Sequence, residues 1–377
     1  MKYLCYYDRD SSEGRNFVLA ATNKIDYIST AIKSLGENVE IVSASTVSSK
    51  GNFKKRNELL NNGIKLKLFN AYKWGNVFQK IWATIYFNLT IFFYLLLNVK
   101  KDEKIMVYHS LGYLSVIKLA KAIKKFKLIL EVEEIYGDVE NSKEIKEKEL
   151  TFFKIADSYI FPTELLNNKV NVNNKPYAII YGTYRVEKQI ADKFDDGKIH
   201  CVYAGTFDPR KGCKALVEAS RFLTDKYHVH IIGFGNKQDT NNLIEQIDFV
   251  KKEIKCTLTY DGLKSGEEYI RFIQSCHIGL SPQNSNASFN DTSFPSKVLS
   301  YLANGLRVVS VKIKSLETSS INDFLYYYQG DDPQKIAEAI MSVDLDDKYD
   351  SRDIVENLNK KFVKELEDLV KNDYIFK

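Results

Sequence analysis

Short apolar runs alternate with amphipathic stretches along most of the chain. Residues 3–7 and 39–43 are strand-like, and residues 17–35 between them repeat apolar side chains every three or four positions, as a helix with one buried face does. Gly36 follows that repeat and is a typical helix stop. The alternation continues with strand-like runs at residues 64–69, 105–109, 128–132, 158–161 and 178–180. This order predicts an α/β domain built on a parallel sheet.

A second series of the same kind begins after a charged segment that is poor in apolar residues. Residues 185–197 form this segment and are the best candidate for a linker. Strand-like runs follow at residues 200–204, 228–232, 257–260, 278–281 and 307–311, with helical patterns between most of them. The predicted fold class is therefore α/β, with two Rossmann-like doubly wound domains, residues 1–185 and 198–350, that face a central cleft.

The most apolar part of the chain, residues 81–99, allows three interpretations. Its length would suffice for a membrane-spanning helix, but Thr84, Asn88 and Thr90 interrupt it and strand-like units flank it closely. We favour a buried core helix, while a helix lying on a membrane surface and a true span stay open. The surrounding lysines either form a solvated face or attract anionic lipid; they are Lys100, Lys101, Lys104, Lys118, Lys121, Lys124, Lys125 and Lys127.

Composition and charge restrict the classes of function. The net charge of +5 suits anionic ligands but is too weak to predict nucleic-acid binding. Five cysteines without paired spacing and five histidines without a metal-type cluster predict reduced thiols and no metal site. The first residues lack the apolar core of a signal peptide. We therefore expect a cytoplasmic protein, peripheral on the inner face of the membrane if residues 81–99 contact lipid.

Residues 289–310 combine the features of an anion-binding site. Polar turn residues precede Pro295, which suits the first turn of a helix because its missing N–H would be unpaired there. A helical run follows, Gly305 ends it, and residues 307–311 are strand-like. Such a helix start offers free N–H groups and the positive end of the helix dipole to a phosphate. An ordinary loop of a parallel sheet has the same order of elements, so the context must decide.

That context is a set of polar and glycine-rich loops at the ends of predicted strands, where open α/β sheets bind their ligands. Four segments contain these loops: YAGTFDPRKG (203–212), IIGFG (231–235), YDGL (260–263) and FPSKVLSYLANGLRVVS (294–310). At these separations they resemble GT-B glycosyltransferases of the large retaining, GT4-type group. Within that group the resemblance is to bacterial enzymes of capsular polysaccharide, exopolysaccharide and cell-surface glycan biosynthesis. It covers residues 198–311 well and the first domain only loosely.

The resemblance implies transfer of a sugar from a nucleotide diphosphate sugar, expected to be a UDP-sugar, to a glycan or lipid-linked acceptor. Configuration would be retained, no metal or other cofactor would be needed, and residues 351–377 would form a helix that crosses back to the first domain. Lys211 matches the family's loop lysine at the diphosphate, Arg210 lies beside it, and His109 matches a histidine that touches the donor sugar. The donor-side candidates are Gly205, Thr206, Gly212, Gly233, Phe234, Gly235, Asp261, Gly262, Asp291, Thr292, Ser293, Phe294, Ser296, Lys297 and Ser300; the acceptor-side candidates are Gly14, Glu133 and Glu134.

Three positions depart from the family's pattern. An arginine that follows the first loop glycine in the family is Thr206 here, and the family's two glutamates fall on Thr292 and Ser300. The second glutamate usually holds the nucleotide ribose, so one alternative is an inactive glycosyltransferase-like partner. A nucleotide-sugar epimerase on the same fold is another, and it would turn over without an acceptor. A two-lobed binding protein for a free sugar would have no affinity for nucleotides.

Overall fold

The computed structural model describes residues 1–10, 14–47, 53–285, 290 and 292–372 and divides into two compact α/β units. Unit 1 comprises Met1–Pro162, Leu166–Thr183 and Lys361–Lys377, and unit 2 comprises Thr163–Leu165 and Tyr184–Lys360. The two Rossmann-like, largely parallel sheets confirm the predicted α/β class. Asp291, a predicted donor-side residue, lies outside the described residues.

Eight strands form the sheet of unit 1. They are β1 (Lys2–Cys5), β2 (Glu40–Ser43), β3 (Arg56–Leu59), β4 (Lys65–Leu68), β5 (Lys104–Tyr108), β6 (Lys127–Glu131), β7 (Ser158–Phe161) and β8 (Tyr177–Ile179). Their order is β3-β4-β2-β1-β5-β6-β7-β8, and β3 runs antiparallel to β4 while the other neighbours are parallel. The helices are α1 (Leu19–Ser34), α2 (Val77–Asn98), α3 (Leu111–Lys124), α4 (Tyr136–Val139), α5 (Lys143–Ile155) and α6 (Glu164–Val170).

The apolar runs of the sequence form the buried centre of this sheet. Tyr3, Leu4 and Cys5 of β1 are fully buried, and β5 and β6 are buried along their central residues. A parallel strand that is covered on both faces is apolar throughout, so such strands can be recognised from the sequence without alternation. Strand β3, with the sequence RNEL, is an edge strand that the apolar pattern does not predict.

Helix α2 corrects the favoured prediction of a buried core helix. Its buried residues lie on one face and are Ala83, Phe87, Ile91, Tyr94 and Leu95. The opposite face is also apolar, but it is exposed. By length and composition alone, α2 is the one helix among the described residues that could cross a membrane. A sheet covers only one side of a helix, so apolar composition on both sides does not ensure burial.

Six parallel strands form the sheet of unit 2. They are β9 (Ile199–Thr206), β10 (Tyr227–Phe234), β11 (Thr257–Tyr260), β12 (Ile278–Ser281), β13 (Arg307–Val311) and β14 (Leu325–Tyr328), in the order β11-β10-β9-β12-β13-β14. The helices are α7 (Cys213–Ala219), α8 (Lys237–Val250), α9 (Gly266–Ser275), α10 (Ser296–Ala303), α11 (Lys314–Glu317), α12 (Pro333–Met341) and α13 (Ser351–Lys371). The strands up to β11 lie on one side of β9, and those from β12 onward lie on its other side. Open α/β sheets bind their ligands at such a switch point.

The end of helix α13 belongs to unit 1. The ring of Phe362 stacks on Tyr27 with centroids 5.9 Å apart, and the Glu365 carboxylate accepts a hydrogen bond from Ile179 N at 3.0 Å. Phe362, Leu366 and other apolar residues of this amphipathic helix are buried. The chain therefore returns to its first unit after completing the second.

Candidate functional site

The loop after β9 is held in a tight turn by its own side chains. Residues Pro209–Lys211 form one 3-10 turn, and the Asp208 carboxylate accepts a hydrogen bond from Arg210 N at 2.9 Å. The Arg210 guanidinium is 72% exposed and forms a salt bridge with the same carboxylate at 2.6 Å, lowering the pKa of Asp208 to about 2. Lys211 is the more buried cation of the loop, and burial lowers its pKa. The structure thus ties Arg210 to Asp208, beside a half-buried Lys211.

Gly212 lets this loop rest against the chain that follows β12. Its φ of 76° lies in the left-handed region, and a Cβ atom added there would come within 1.2 Å of the Pro282 carbonyl oxygen. A backbone hydrogen bond from Asn284 N to Arg210 O, 2.9 Å long, closes the same contact. The loops that follow β9 and β12 are therefore in backbone contact, which requires a glycine at this position.

Glycines also bring the ends of β9 and β10 together. Gly233 has a φ of 137°, and a Cβ atom there would approach the Gly205 carbonyl oxygen to 1.8 Å. A Cβ on Gly235 would lie 3.1 Å from that of Phe207. Phe234, between the two glycines, has an exposed ring, while its carbonyl accepts a hydrogen bond from Phe207 N. The backbones at the ends of the two strands are thus in close contact, with no room for a side chain between them.

Lys297, in the first turn of α10, is a partly buried cation beside these loops. Its Nζ lies 3.8 Å from the centroid of the Tyr203 ring, and a Cβ on Gly205 would come within 2.6 Å of the same Nζ. Burial lowers the pKa of Lys297 to about 7; Cys213 opposes this shift and the like charge of Lys211 adds to it. Among the described residues, no carboxylate forms an ion pair with Lys297.

The start of α10 adds backbone donors to this cation. Pro295 precedes the helix, and in the described part of the chain no side chain caps it. The first N–H groups of a helix need an acceptor, and the helix dipole favours a negative one. An anion such as a diphosphate could bind to Lys297, Lys211 and the helix start. The same segment contains Ser293 and the buried Phe294, and it exposes Ser296.

The two positions where the family resemblance expects glutamates make neutral contacts. The Ser300 Oγ lies 3.2 Å from the hydroxyl of Tyr269, and burial raises the pKa of Tyr269. The carbonyl oxygen of Thr292 accepts a hydrogen bond from Thr163 Oγ1 at 3.2 Å. Thr206, at the place of the family's arginine, accepts a hydrogen bond from the Tyr203 hydroxyl at its carbonyl oxygen.

Asp261 takes part in a buried chain of imidazoles. Its carboxylate is 2.9 Å from His230 Nδ1, His230 Nε2 is 2.8 Å from His200 Nδ1, and His200 Nε2 is 2.8 Å from Asp196. His228 completes a group of three histidines that could hold a metal ion. Two nitrogen ligands of a tetrahedral zinc ion lie about 3.3 Å apart, because each bond is about 2.0 Å long. The shorter 2.8 Å spacing is that of a hydrogen bond.

The hydrogen-bonded histidines already bind the carboxylate of Asp261, a predicted donor-side residue, from within the sheet. The Thr259 hydroxyl also donates to the Asp261 carboxylate, at 2.7 Å. Although burial alone would raise the pKa of Asp261, the hydrogen bonds from His230 and Thr259 lower it. Gly262 follows with a φ of 74°, and its carbonyl oxygen accepts a hydrogen bond from Gly233 N at 3.0 Å. Asp261 and Gly262 therefore position the loop after β10.

In unit 1, His109 lies beneath aromatic side chains. The residue is 1% exposed, and its ring stacks on Tyr136 with centroids 5.1 Å apart, while Phe153 lies at the same centroid distance. Burial lowers the pKa of His109 to about 4, so the ring is neutral at physiological pH. The buried Glu149 accepts hydrogen bonds from Tyr136 N and Gly137 N, both 2.7 Å long, and so fixes the covering loop. Contact between His109 and a sugar would require Tyr136 to move.

Unit 1 contains a cavity of about 720 Å³ with mainly aromatic and apolar walls. Its lining includes Phe17, Trp74, Phe87, Tyr108, Tyr136 and Glu134. The aromatic residues are not among the candidates predicted from the sequence. The sequence signal for two of them is that Tyr108 directly precedes the predicted strand-end residue His109 and that Tyr136 lies two residues after Glu134.

The acceptor-side candidates have different environments. Glu134 lines the cavity, and burial together with the neighbouring Glu133 raises its pKa. Glu133 instead forms a salt bridge with Lys24, with 2.5 Å between Oε1 and Nζ. Gly14 adopts a φ of 68° two residues before Asn16, which lines the cavity. Glu134 is therefore the carboxylate that can meet a ligand in this cavity.

The chain is similar to known glycosyltransferases in part of its sequence and in its fold. Residues 185–361 match the family described as "Glycosyl transferases group 1", and no curated protein matches the chain by sequence. The solved lipopolysaccharide outer core galactosyltransferase WaaB in its apo form is 14% identical, with 98% of this chain and 99% of that chain covered and a TM-score of 0.64. Anabaena Alr3699/HepE in complex with UDP and glucose is 13% identical, with 98% of each chain covered and a TM-score of 0.57.

A third solved structure is also similar over nearly the whole chain. It is the α,α-trehalose-phosphate synthase (UDP-forming) from Burkholderia xenovorans in complex with glucose-6-phosphate, 10% identical, with 97% of this chain and 96% of that chain covered and a TM-score of 0.58. At these identities the likeness establishes the fold, which extends over nearly the whole chain. The chain therefore has the GT-B fold, and its residues 185–361 are similar to the glycosyltransferase group 1 family.

Proposed function

We propose that the protein is a retaining glycosyltransferase that transfers a sugar from a UDP-sugar to a glycan or lipid-linked acceptor in bacterial surface polysaccharide biosynthesis. The observation that carries the proposal is Lys297, a partly buried residue whose ammonium group is shielded from water and has no described carboxylate partner, in the first turn of α10 and near Lys211. A buried ammonium group is costly unless a negative partner joins it. A diphosphate supplies that partner.

The chemistry follows from the charge that develops on the diphosphate. The bond between the anomeric carbon and the β-phosphate oxygen breaks, a bond between that carbon and the acceptor hydroxyl oxygen forms, and the hydroxyl proton passes to water. UDP departs with an additional negative charge, which Lys297, Lys211 and the N–H groups at the start of α10 stabilise. Because these groups are cationic or N–H donors, we propose that transfer needs no divalent metal.

The acceptor is proposed to bind to unit 1. Sugar rings and lipid chains both present C–H surfaces that pack on aromatic side chains, and Tyr108, Tyr136 and Trp74 line the cavity. Glu134 can accept a hydrogen bond from a sugar hydroxyl there. The solved complexes of structural neighbours, with UDP and glucose or with glucose-6-phosphate, support ligands of this size and class. We propose a cytoplasmic location at the inner face of the membrane.

A second candidate function is an inactive glycosyltransferase-like partner. The hydrogen bond between Ser300 and Tyr269 favours it, because a neutral pair stands where the family resemblance expects a glutamate at the ribose. Such a protein would bind UDP weakly and transfer nothing.

Incubation of the full chain with UDP-glucose, UDP-galactose, UDP-N-acetylglucosamine and UDP-N-acetylgalactosamine tests the proposal. Bacterial glycolipid extract is added or omitted, and UDP release and products are measured with EDTA present. We expect UDP release from one donor, stimulated at least tenfold by the extract, and an anomeric configuration equal to that of the donor. Formation of an epimer without extract would establish the epimerase instead. Absence of turnover with every donor would favour the inactive partner.

A further inference from the structure

Helix α2 exposes large apolar side chains over nearly its whole length. Phe78 near its start is 83% exposed and Leu97 near its end is 81% exposed. Between them, exposed apolar residues recur at intervals of three or four, so they share one side of the helix. We call this the α2 outer face; it consists of Phe78, Ile81, Trp82, Ile85, Leu89, Phe93 and Leu97. A water-facing helix side is normally polar.

The size of this surface exceeds what an isolated soluble domain usually exposes. With ~200 Å² for each large side chain, the α2 outer face leaves on the order of 800 Å² of apolar surface in contact with water. The largest apolar patch of a typical monomer is about 300–600 Å². From Phe78 to Leu97 the face is about 28 Å long, at ~1.5 Å per residue. An extended, narrow apolar surface of this kind needs a partner.

The charges around the α2 outer face identify the partner as negative. No aspartate or glutamate occurs in Val77–Asn98. Exposed lysines border the helix at both ends and lie on or just after the neighbouring α3; they are Lys80, Lys100, Lys101, Lys118 and Lys125. Of these, Lys101 pairs with the exposed Asp102 at 4.0 Å. The chain has two tryptophans, Trp74 and Trp82, and both are exposed here. Tryptophan and lysine beside an apolar face are typical of a helix that lies in the headgroup region of a bilayer.

We propose that the α2 outer face docks parallel to the surface of an anionic phospholipid bilayer. A membrane-spanning orientation conflicts with the other side of the helix, where Phe87 packs on Tyr113 with ring centroids 5.1 Å apart and the Tyr94 hydroxyl donates to Glu40. A second copy of the chain on this face would bring the bordering lysines of both copies together. Anionic headgroups neutralise those lysines instead.

The docked orientation would bring lipid close to the cavity of unit 1. Trp74 lines that cavity, as do Thr84, Phe87 and Asn88 of α2. A lipid-linked acceptor could therefore pass from the bilayer along α2 to the aromatic walls. This last step rests on the proposed function, whereas docking itself needs no nucleotide.

Vesicle binding by the full chain tests the docking surface. Tryptophan emission and co-sedimentation are measured with vesicles of phosphatidylcholine alone and of phosphatidylcholine with 30% phosphatidylglycerol. We expect the emission to shift to shorter wavelength and partitioning to rise at least tenfold with the anionic lipid, and to fall in high salt. Phe78→Glu combined with Leu89→Glu should reduce partitioning at least tenfold. Val172→Glu, at a side chain of unit 1 that is 78% exposed, is the matched control and should bind as the wild type does.

Equal partitioning of the double variant and the wild type, or no binding to anionic vesicles, would overturn the proposal. A lipid-independent dimer whose tryptophan emission already lies at shorter wavelength would assign the face to a second copy instead. UDP binding is measured separately on the same samples. Loss of vesicle binding with UDP binding intact therefore contradicts only the docking surface, and the reverse result contradicts only the proposed function.

Discussion

Replacing Lys297 by methionine is expected to weaken UDP binding by about 10- to 100-fold. A hydrogen bond to a charged group contributes about 1.5–3 kcal/mol, and methionine keeps the apolar stem over the Tyr203 ring while it removes the charge. Titration calorimetry measures the change. Lys264→Met is the matched control: Lys264 lies over the Phe272 ring at 4.8 Å, but it is already paired with Glu268. UDP affinity that falls equally in both variants, or in neither, would contradict the role of Lys297.

The low pKa of Lys297 gives the same contact a pH dependence. Because the pKa in the free protein is about 7, the lysine is charged below pH 7 and increasingly neutral above it. A bound diphosphate stabilises the ammonium form and raises the pKa, so binding above pH 7 takes up a proton. UDP affinity should therefore fall from pH 7 to pH 9 in the wild type and change little in Lys297→Met. Calorimetry in buffers of different ionisation enthalpy measures the proton uptake.

Replacing Gly212 by alanine is expected to destabilise unit 2 by about 3 kcal/mol more than a comparable glycine replacement elsewhere in the unit. An added Cβ would meet the Pro282 carbonyl oxygen at 1.2 Å, and backbone atoms cannot rotate away as a side chain can. The left-handed φ of 76° costs an alanine about 1–2 kcal/mol in addition. Urea unfolding measures the loss.

Gly197→Ala separates the two causes. Gly197 has a similar φ of 79°, but an added Cβ would meet nothing within 4 Å. The free energy of unfolding of this variant should therefore fall only by the cost of the left-handed backbone conformation, about 1–2 kcal/mol. Equal losses for the two variants would mean that the loop after β9 can move away from Pro282, and that the close contact between the two loops is not required.

The sequence predicts the sheets well because buried parallel strands are continuous apolar runs. Strand β13, with the sequence RVVSV, is recognisable in this way and is buried throughout. Strand β3 is polar and lies at an edge, so its position depends on pairing with β4 rather than on burial. The side of α2 that faces water also depends on long-range packing, because apolar residues occur on both sides of the helix.

The candidate site is predictable in its loops but not in the environment of each side chain. The family resemblance predicts that Lys211 and Lys297 share a site, yet only the fold shows that Lys297 packs on the Tyr203 ring. His109 follows a strand as expected, but the cover over it comes from Tyr136 and α5, which lie far along the chain. Asp261 likewise follows β11, and histidines from two other strands determine where its carboxylate is held.

Thermal unfolding of the full chain with UDP, CDP, GDP, ADP and free sugars, in EDTA, tests most directly whether unit 2 is a nucleotide-sugar site. A ligand that binds only the folded state raises the midpoint, and a concentration of about 100 times Kd stabilises by about 2.7 kcal/mol. We predict a clear rise with UDP, smaller rises with the other nucleotides and no rise with free sugars. The rise with UDP at the same concentration should be clearly smaller in Lys297→Met. No shift with any nucleotide, or a shift with a free sugar alone, would contradict the proposed donor site.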